Sequence, residues 1–560
     1  MNYPPFLAWI AVVPLIVIFY TGYVRVWVWI QVIPLTCAVT AAIAFLFWQV
    51  PLLTILASIF QGITISLQHI FFLISVALFT EVLRTTHSLD PLQTFFQRFS
   101  PDRRIQAIAV AWFFASFLEG LMGFAFSGSM VAVVLIGMGF PPACAILLGI
   151  MGPITASAFS CAGTPILFHA MHGLQDSSLA LQLSNSGSHL DAYLHSVTSY
   201  VGVINGIVGT LMPLGMIVMM TRFYGKNRSW KEAFDIAPFA LFCGLAFTLP
   251  YALTAITLGP QFPSIFGSIV GLALFLIAHR TRFLLPRRTW NFEPFSHWEP
   301  AWYEGHYEKP TSPKRMSWRL AWMPLVVLLF LFLFLEYPHS PLKKILQSYT
   351  LQKNNFMGTP IALFAQPLLM PHTLLIVFTS IITLAAHKFK NIERIFNQRL
   401  SIFVSKAFLS LPLIMCITAI YLNSGFNKSG YPAMHAVIAE QMTALPIPRI
   451  LHFVISPFLA AAITDVSSSG MYSIMLMSAF QHHLGFNLIG NGAFFVAIQI
   501  TASTAANMFA GHYLNGITLH AGKEGLTGPM GRLALRPLFV YLILTGIIAW
   551  IISIVFYRVS

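Results

Sequence analysis

The chain has 560 residues, of which 57% are apolar and only 9% charged, with a formal net charge of +14. A soluble protein carries about a quarter charged residues, so a water-soluble fold is excluded, and a mean hydropathy of +0.76 points to a bilayer. The bases lie between apolar runs, the pattern of membrane topology rather than of nucleic-acid binding.

Many apolar runs approach the roughly 20 residues that cross the hydrocarbon as a helix. They are continuous rather than alternating, which argues against a β-barrel. The expected fold class is an all-α polytopic integral membrane protein with roughly 12–16 transmembrane or re-entrant helices in two inverted repeats. Residues 1–221 form the first half, 222–319 connecting spans with a basic loop, and 320–560 the second half.

In chain order, spans are expected at Pro5–Tyr20, Trp27–Phe47 and Leu52–Leu83, then an interrupted region, Ile105–Ala170. Thr198–Thr221, Ala237–Leu258 and Phe262–His279 follow, then Leu320–Glu336, Pro371–Ala386 and Ile402–Leu422. A second interrupted region, Ile450–Gly511, precedes the last span, Leu538–Phe556. The first run lacks a basic leader and a small-residue cleavage site, so it reads as a span rather than a cleaved signal.

Loops Arg84–Arg104, Arg222–Lys231, Arg280–Arg319 and His387–Arg399 are basic and belong to the cytoplasmic side, with the segment carrying Lys523, Arg532 and Arg536. Loop Met171–Val197 has no Lys or Arg and belongs outside, as by alternation do Tyr337–Met370, despite Lys343, Lys344 and Lys353, and Asn423–Arg449. Glu81 and Arg84 are spaced for an i,i+3 pair at a helix end. Cys37, Cys144, Cys161, Cys243 and Cys416 lie in apolar segments and read as small buried hydrophobes. His172, His189 and His195, with His169 nearby, lack metal-ligand spacing and read as solvated loop residues. His69 and His279 read as satisfied polar contacts near span edges. No enzyme motif occurs, and no cofactor or metal is expected.

The two interrupted regions match each other. "FLEGLMGFAFSGSM", "GMGFPP" and "ITAS" in the first answer to "ITDVSSSGMYSIML", "HLGFNL" and "ITAS" in the second. One offset of 346 residues places Glu119 on Asp465, Gly139-Phe140 on Gly485-Phe486 and Ile154–Ser157 on Ile500–Ser503. The loop charges orient the copies oppositely, and inverted repeats with broken segments are the sequence sign of a secondary transporter. The substrate site is then expected between the repeats.

A mid-membrane carboxylate costs roughly 3 kcal/mol on insertion scales. Burial penalises its charged form, so Glu119 and Asp465 are the candidate proton-coupling residues. Gly120, Gly123 and Ser127 follow Glu119, and Ser467, Ser468 and Ser469 follow Asp465. Such residues permit a break whose helix ends and hydroxyls hold a small anion. Thr155, Ser157, Thr501 and Ser503 of the "ITAS" copies would add a second pair of helix ends. Close packing of small residues is the rival reading.

"SPDRRIQAIAVAWFFASFLEGLMGFAFSGSM", "GMGFPPACAILLGI", "GTPILF", "SPFLAAAITDVSSSGMYSIML" and "GKEG" at Gly522–Gly525 resemble the L-lactate permease family of bacterial monocarboxylate:proton symporters. The resemblance implies a multi-pass inner-membrane carrier for lactate, glycolate or similar 2-hydroxy acids, with a small monocarboxylate, protons and lipid as partners. After the second "ITAS", Asn507 stands where the family pattern places a lysine, and it joins the substrate-binding candidates. A cation:proton antiporter, or a permease for another organic anion, is the alternative on the same architecture.

Overall fold

The computed structural model describes residues 3–21, 25, 29–123, 125–174, 179, 189–304, 316–337, 339–366, 368, 372–389, 391–396 and 398–557. Phe124, most of the segment before His189, and Lys314 and Arg315 of the long basic loop lie outside them. Among the described residues nine helices are long and apolar enough to cross a membrane. A further pair, Pro142–Met151 and Ala156–Gly173, is bent by 53° at a short break, and five shorter apolar helices accompany them. The only sheet among the described residues is one short hairpin, Leu351–Lys353 paired with Leu363–Ala365. The chain is a multi-pass membrane protein.

Burial sorts the spans into layers. Trp318–Glu336 is 33% buried, and Trp9, Leu249, Leu253, Phe330 and Phe556 stand exposed as the apolar coat that lipid requires. Arg103–Leu121 and Gly492–Ala521 are 94% buried, so the interrupted regions form the centre.

Two expected spans are longer than their apolar cores. Thr198–Thr221 lies within Leu190–Tyr224, and Leu538–Phe556 within Glu524–Phe556, because polar ends packed on protein continue the helix beyond the hydrophobic window. His195 is therefore helical, not in a loop.

The basic loops meet on one face. Arg104 pairs with Asp102 at 2.7 Å and donates to the carbonyls of Glu232 and Arg288. The backbone N–H of Arg103 donates to Trp290 O, and Lys523 reaches Glu304 O at 2.8 Å. Ser88, in the same loop as Arg104, brings in the remaining loop through His387 at 3.4 Å. At the other end of the 34-residue helix Leu52–Thr85, Lys428 N–H donates to Gln49 O and Gln61 donates to Ala362 O. The chain segments assigned to opposite sides from loop charge and alternation thus gather at opposite ends. Lys343, an unexpected base for its loop, pairs with Glu336 at 2.8 Å. Glu81 and Arg84 form their i,i+3 contact at 3.4 Å.

Arg104 is 2% exposed. Arg104→Met would leave Asp102 buried without its counter-charge, which costs about 3–5 kcal/mol. A clear fall in the melting temperature of the detergent-purified protein is the expected result.

Each interrupted region contains a helix, a break and a helical hairpin. In the first, Arg103–Leu121 ends before the hairpin of Phe126–Gly137 and Pro142–Met151. Its turn uses Gly139 at φ +90°, a conformation open mainly to glycine. Arg103 donates to Met138 O at 2.8 Å and Phe140 packs on Phe292, so this turn lies at the basic face. In the second, Arg449–Val466 precedes the hairpin of Gly470–Ile489 and Gly492–Ala506. Its turn reaches Tyr200 through Asn491 at 3.1 Å, toward the end of Leu190–Tyr224 remote from Tyr224. Tyr224 itself packs on Trp302 at the basic face. The two hairpin turns therefore lie toward opposite faces. The turn of the second falls at Gly490, at φ +72°, so Gly485-Phe486 is still helical rather than the structural counterpart of Gly139-Phe140.

All five cysteines are free, four of them buried.

Candidate functional site

Glu119 sits 16 residues into the helix that begins at Arg103, about 24 Å of rise from the basic face. It is 1% exposed. Ser127, on the first turn of the first hairpin, donates to Glu119 Oε2, and Ser157, in the 3₁₀ turn Ala156–Phe159, donates to Oε1 at 3.0 Å. Three segments from both sides of the breaks thus converge on one carboxyl group. Ionised, it accepts both bonds; protonated, it still accepts one and has a proton to donate.

Further polar groups surround it. Ser116 lies one turn earlier on the helical face of Glu119. The Ser160 hydroxyl lies beside Gly123, 3.3 Å from where a Cβ would project. Tyr513, 4% exposed on the first turn of Gly511–Ala521, lies within electrostatic reach of Glu119. The hydroxyls of Ser116 and Ser160 are buried with no hydrogen-bond partner among the described residues, whereas Tyr513 interacts with Ser127. Buried hydroxyls are nearly always satisfied, so Ser116 and Ser160, on the segments that flank the first break, leave hydrogen-bonding capacity there for another polar group.

The second break is held from outside. Asn205 donates to Thr155 O at 2.7 Å, Tyr251 donates to the same oxygen at 3.0 Å, and Tyr541 donates to Asn205. Ser264 donates to Ala156 O at 2.7 Å. These bonds take up carbonyls that the broken helix releases. Thr155 itself packs its side chain against Gly209. Gly120 crosses closely over Ser264 and Ile265, which is a packing contact.

The 346-residue register carries further than the quoted motifs. It maps Ser127 to Ser473 and Ser157 to Ser503. Ser503 donates to Ser473 at 2.9 Å, and Gln499 donates to both, at 2.9 Å and 3.0 Å. Gln481 joins through Gln499 at 3.1 Å. Each interrupted region therefore holds a serine pair in this register, bridged by Glu119 in the first and by the amide of Gln499 in the second. Asp465 is half-buried, next to Val466, which packs on Ile18 and Val32.

Of the remaining candidates, Ser467 donates to Ile463 O at 2.6 Å, Ser468 takes φ +56°, and the carbonyl of Ser469 accepts from Ser467. Thr501 is buried with no partner for its hydroxyl among the described residues. Asn507 accepts the N–H of Gly470 at 2.8 Å and so caps the second hairpin.

Ser473, Gln499 and Tyr513 were not among the sequence candidates, although Gln499 is visible as the lone amide in the apolar run before the second "ITAS". The histidines need correction. His172 is 4% exposed and His169 fully buried, because helix continues from Pro165 through Gly173 into the core. Residues 175–178 and 180–188 of the expected loop lie outside the described residues.

The model of a family described as L-lactate permease matches residues 7–556. The L-lactate permease of Escherichia coli (strain K12) is 26% identical over 238 residues, 42% of this chain and 39% of that protein. That of Bacillus subtilis (strain 168) is 26% identical over 296 residues, 52% of this chain and 48% of its own. The glycolate permease GlcA of Escherichia coli (strain K12) is 25% identical over 256 residues, 44% of this chain and 41% of its own. The matched stretch spans less than half the length of each of these relatives. With a family match across nearly the whole chain, and a buried carboxyl centred on its broken helices, the chain belongs to the L-lactate permease family.

Proposed function

We propose that this protein is a secondary carrier of bacterial plasma membranes that moves L-lactate or a related small 2-hydroxy monocarboxylate together with a proton. One observation carries the reading. The buried Glu119 carboxyl bridges Ser127 and Ser157 across the breaks, and Tyr513, hydrogen-bonded to Ser127, lies within electrostatic reach of it. Hydroxyl donors suit a carboxylate and a 2-hydroxyl group. With Glu119 charged, like charge repels the anion; with Glu119 protonated, the loaded site is less negative by one charge. Proton and anion then favour each other's binding, which is the linkage that symport requires. Asp465 is assigned to the polar lining, since its half's serine pair is closed by Gln499.

Two features support reading the halves as inverted repeats: serine pairs in one register, and hairpin turns toward opposite faces. The glycolate permease among the relatives supports a substrate class of short 2-hydroxy acids. The relatives' bacterial origin supports the placement in a plasma membrane.

The test is uptake by proteoliposomes under an imposed inward proton gradient, across a panel of L-lactate, D-lactate, glycolate and pyruvate. Accumulation of a 2-hydroxy acid with alkalinisation outside is expected. Sodium-dependent proton movement with no organic acid taken up would instead assign cation:proton exchange.

A further inference from the structure

Buried imidazoles form a second group of titratable side chains, outside the Glu119 site. His69, on the helix Leu52–Thr85, and His169 lie with ring centroids 5.0 Å apart. His69 also faces Tyr472 of the second hairpin at 5.9 Å and Phe168 at 6.2 Å. His172 is one turn beyond His169 and within its electrostatic reach. His512 lies within electrostatic reach of His69, and its chain neighbour Tyr513 within that of Glu119. The first turn of Gly511–Ala521 thus carries one residue that interacts with the imidazoles and, next to it, one that interacts with the carboxyl group.

The hydrogen bonds set the tautomers. His172 Nδ1 is 2.8 Å from Phe168 O and His169 Nδ1 is 3.2 Å from Thr164 O. A carbonyl only accepts, so each Nδ1 carries hydrogen and each neutral ring keeps its lone pair on Nε2. His172 Nε2 is buried and has no hydrogen-bond partner among the described residues. A narrow cavity lined by His172, Gln61, Ile65, Thr418, Asn423 and Met475 reaches this ring. Gln61 also bonds Ala362, in the loop at the face opposite the basic one. Ile65 is one helical turn from His69, so the cavity leads toward the cluster. His69 is 16 residues from Thr85, about 24 Å of rise, which matches the depth of Glu119.

We propose that this cavity is the proton entrance of the carrier, and that His172, His169 and His69 are proton-loading residues that supply Glu119 by way of His512. A hydronium ion in the cavity gives its proton to His172 Nε2 and leaves as water. The ring becomes imidazolium while Nδ1–H stays on the Phe168 carbonyl. The proton passes in turn to His169, His69 and His512, each donor returning to neutral imidazole. It ends on the Glu119 carboxylate, which becomes a neutral carboxyl. Among the described contacts, Tyr472 and His512 are titratable groups turned toward these rings from neighbouring elements. The cavity wall adds only amides, a hydroxyl and apolar side chains besides His172.

The inference rests on the proton-coupled reading above, and exchange separates the two. Lactate–lactate counterflow at equal pH needs no net proton movement, whereas gradient-driven uptake does. His172→Gln removes the first acceptor, and Ala419→Phe fills the cavity while leaving every histidine in place. Each variant is expected to slow gradient-driven uptake by about tenfold or more, the scale of a lost proton-transfer group, with counterflow retained. Counterflow also reports that the variant is folded. Unchanged uptake in both variants, or parallel loss of uptake and counterflow, would overturn the inference. Wild-type protein that takes up lactate without moving protons would overturn the coupled reading itself, and the entrance with it.

Discussion

Glu119→Gln is expected to reduce gradient-driven lactate uptake by roughly 100-fold, the order of effect of removing a central proton-transfer group. The amide is nearly isosteric with the carboxyl. Its oxygen accepts from one of Ser127 and Ser157, and its NH₂ donates to the other, so the three broken segments stay joined. A neutral amide resembles the protonated state permanently. Substrate still binds, but the step that discharges a proton is absent. Counterflow at equal pH is therefore expected to persist, and lactate binding to lose its dependence on pH. Full gradient-driven uptake by this variant would remove Glu119 from the coupling step. Glu119→Ala is a harsher change, because it also leaves both serines without their shared acceptor.

Gly128→Val is expected to have the largest effect on folding. Gly128 lies in the first helix of the first hairpin, where a Cβ would meet the carbonyl oxygen of Gly149 in the second helix. It would also come within 2.8 Å of Ile517 Cδ1 and 3.2 Å of the Gly149 carbonyl carbon. Gly149 faces Gly128 reciprocally. Overpacking typically costs about 1–3 kcal/mol, and here the obstacle is backbone, which has no alternative rotamer. Valine would push the hairpin open, move Ser127 away from Glu119 and separate the hairpin from the helix that carries Tyr513. A lowered melting temperature and lost transport are expected together. Gly516→Ala is the matched comparison, since its new methyl would stand 3.5 Å from Ala125, an ordinary contact. Gly215→Ala meets nothing within 4 Å and should behave as wild type. If Gly128→Val melts no earlier than these two, the tight crossing is not what holds the hairpin.

The sequence by itself determined the membrane class, the positions of the central breaks and the gathering of basic loops at one end. Hydropathy and loop charge are local properties, and lipid enforces them on each segment separately. The singular carboxyl in "FLEGLMGF" was legible for the same reason: a charge within an apolar run is costly wherever the helix packs. The 346-residue register was legible too, and it extends to Ser127 with Ser473 and Ser157 with Ser503.

Tertiary structure alone decided which members of that register act together. Glu119 reaches both of its serines, whereas Asp465, its aligned partner, stays half-buried beside Val466 while Gln499 closes the second pair. At the same offset Gln499 falls on Pro153, so the two interrupted regions differ chemically at the position that decides who bridges the serines. The histidines show the same limit. An apparently polar loop boundary placed His172 in water, yet the helix runs on and packs it under the second hairpin, where Gly173 touches the backbone of Met475. Such contacts join residues hundreds of positions apart, and they depend on where glycines let two backbones approach. No local window of hydropathy or charge contains that information, because it belongs to the crossing of two helices and not to either one.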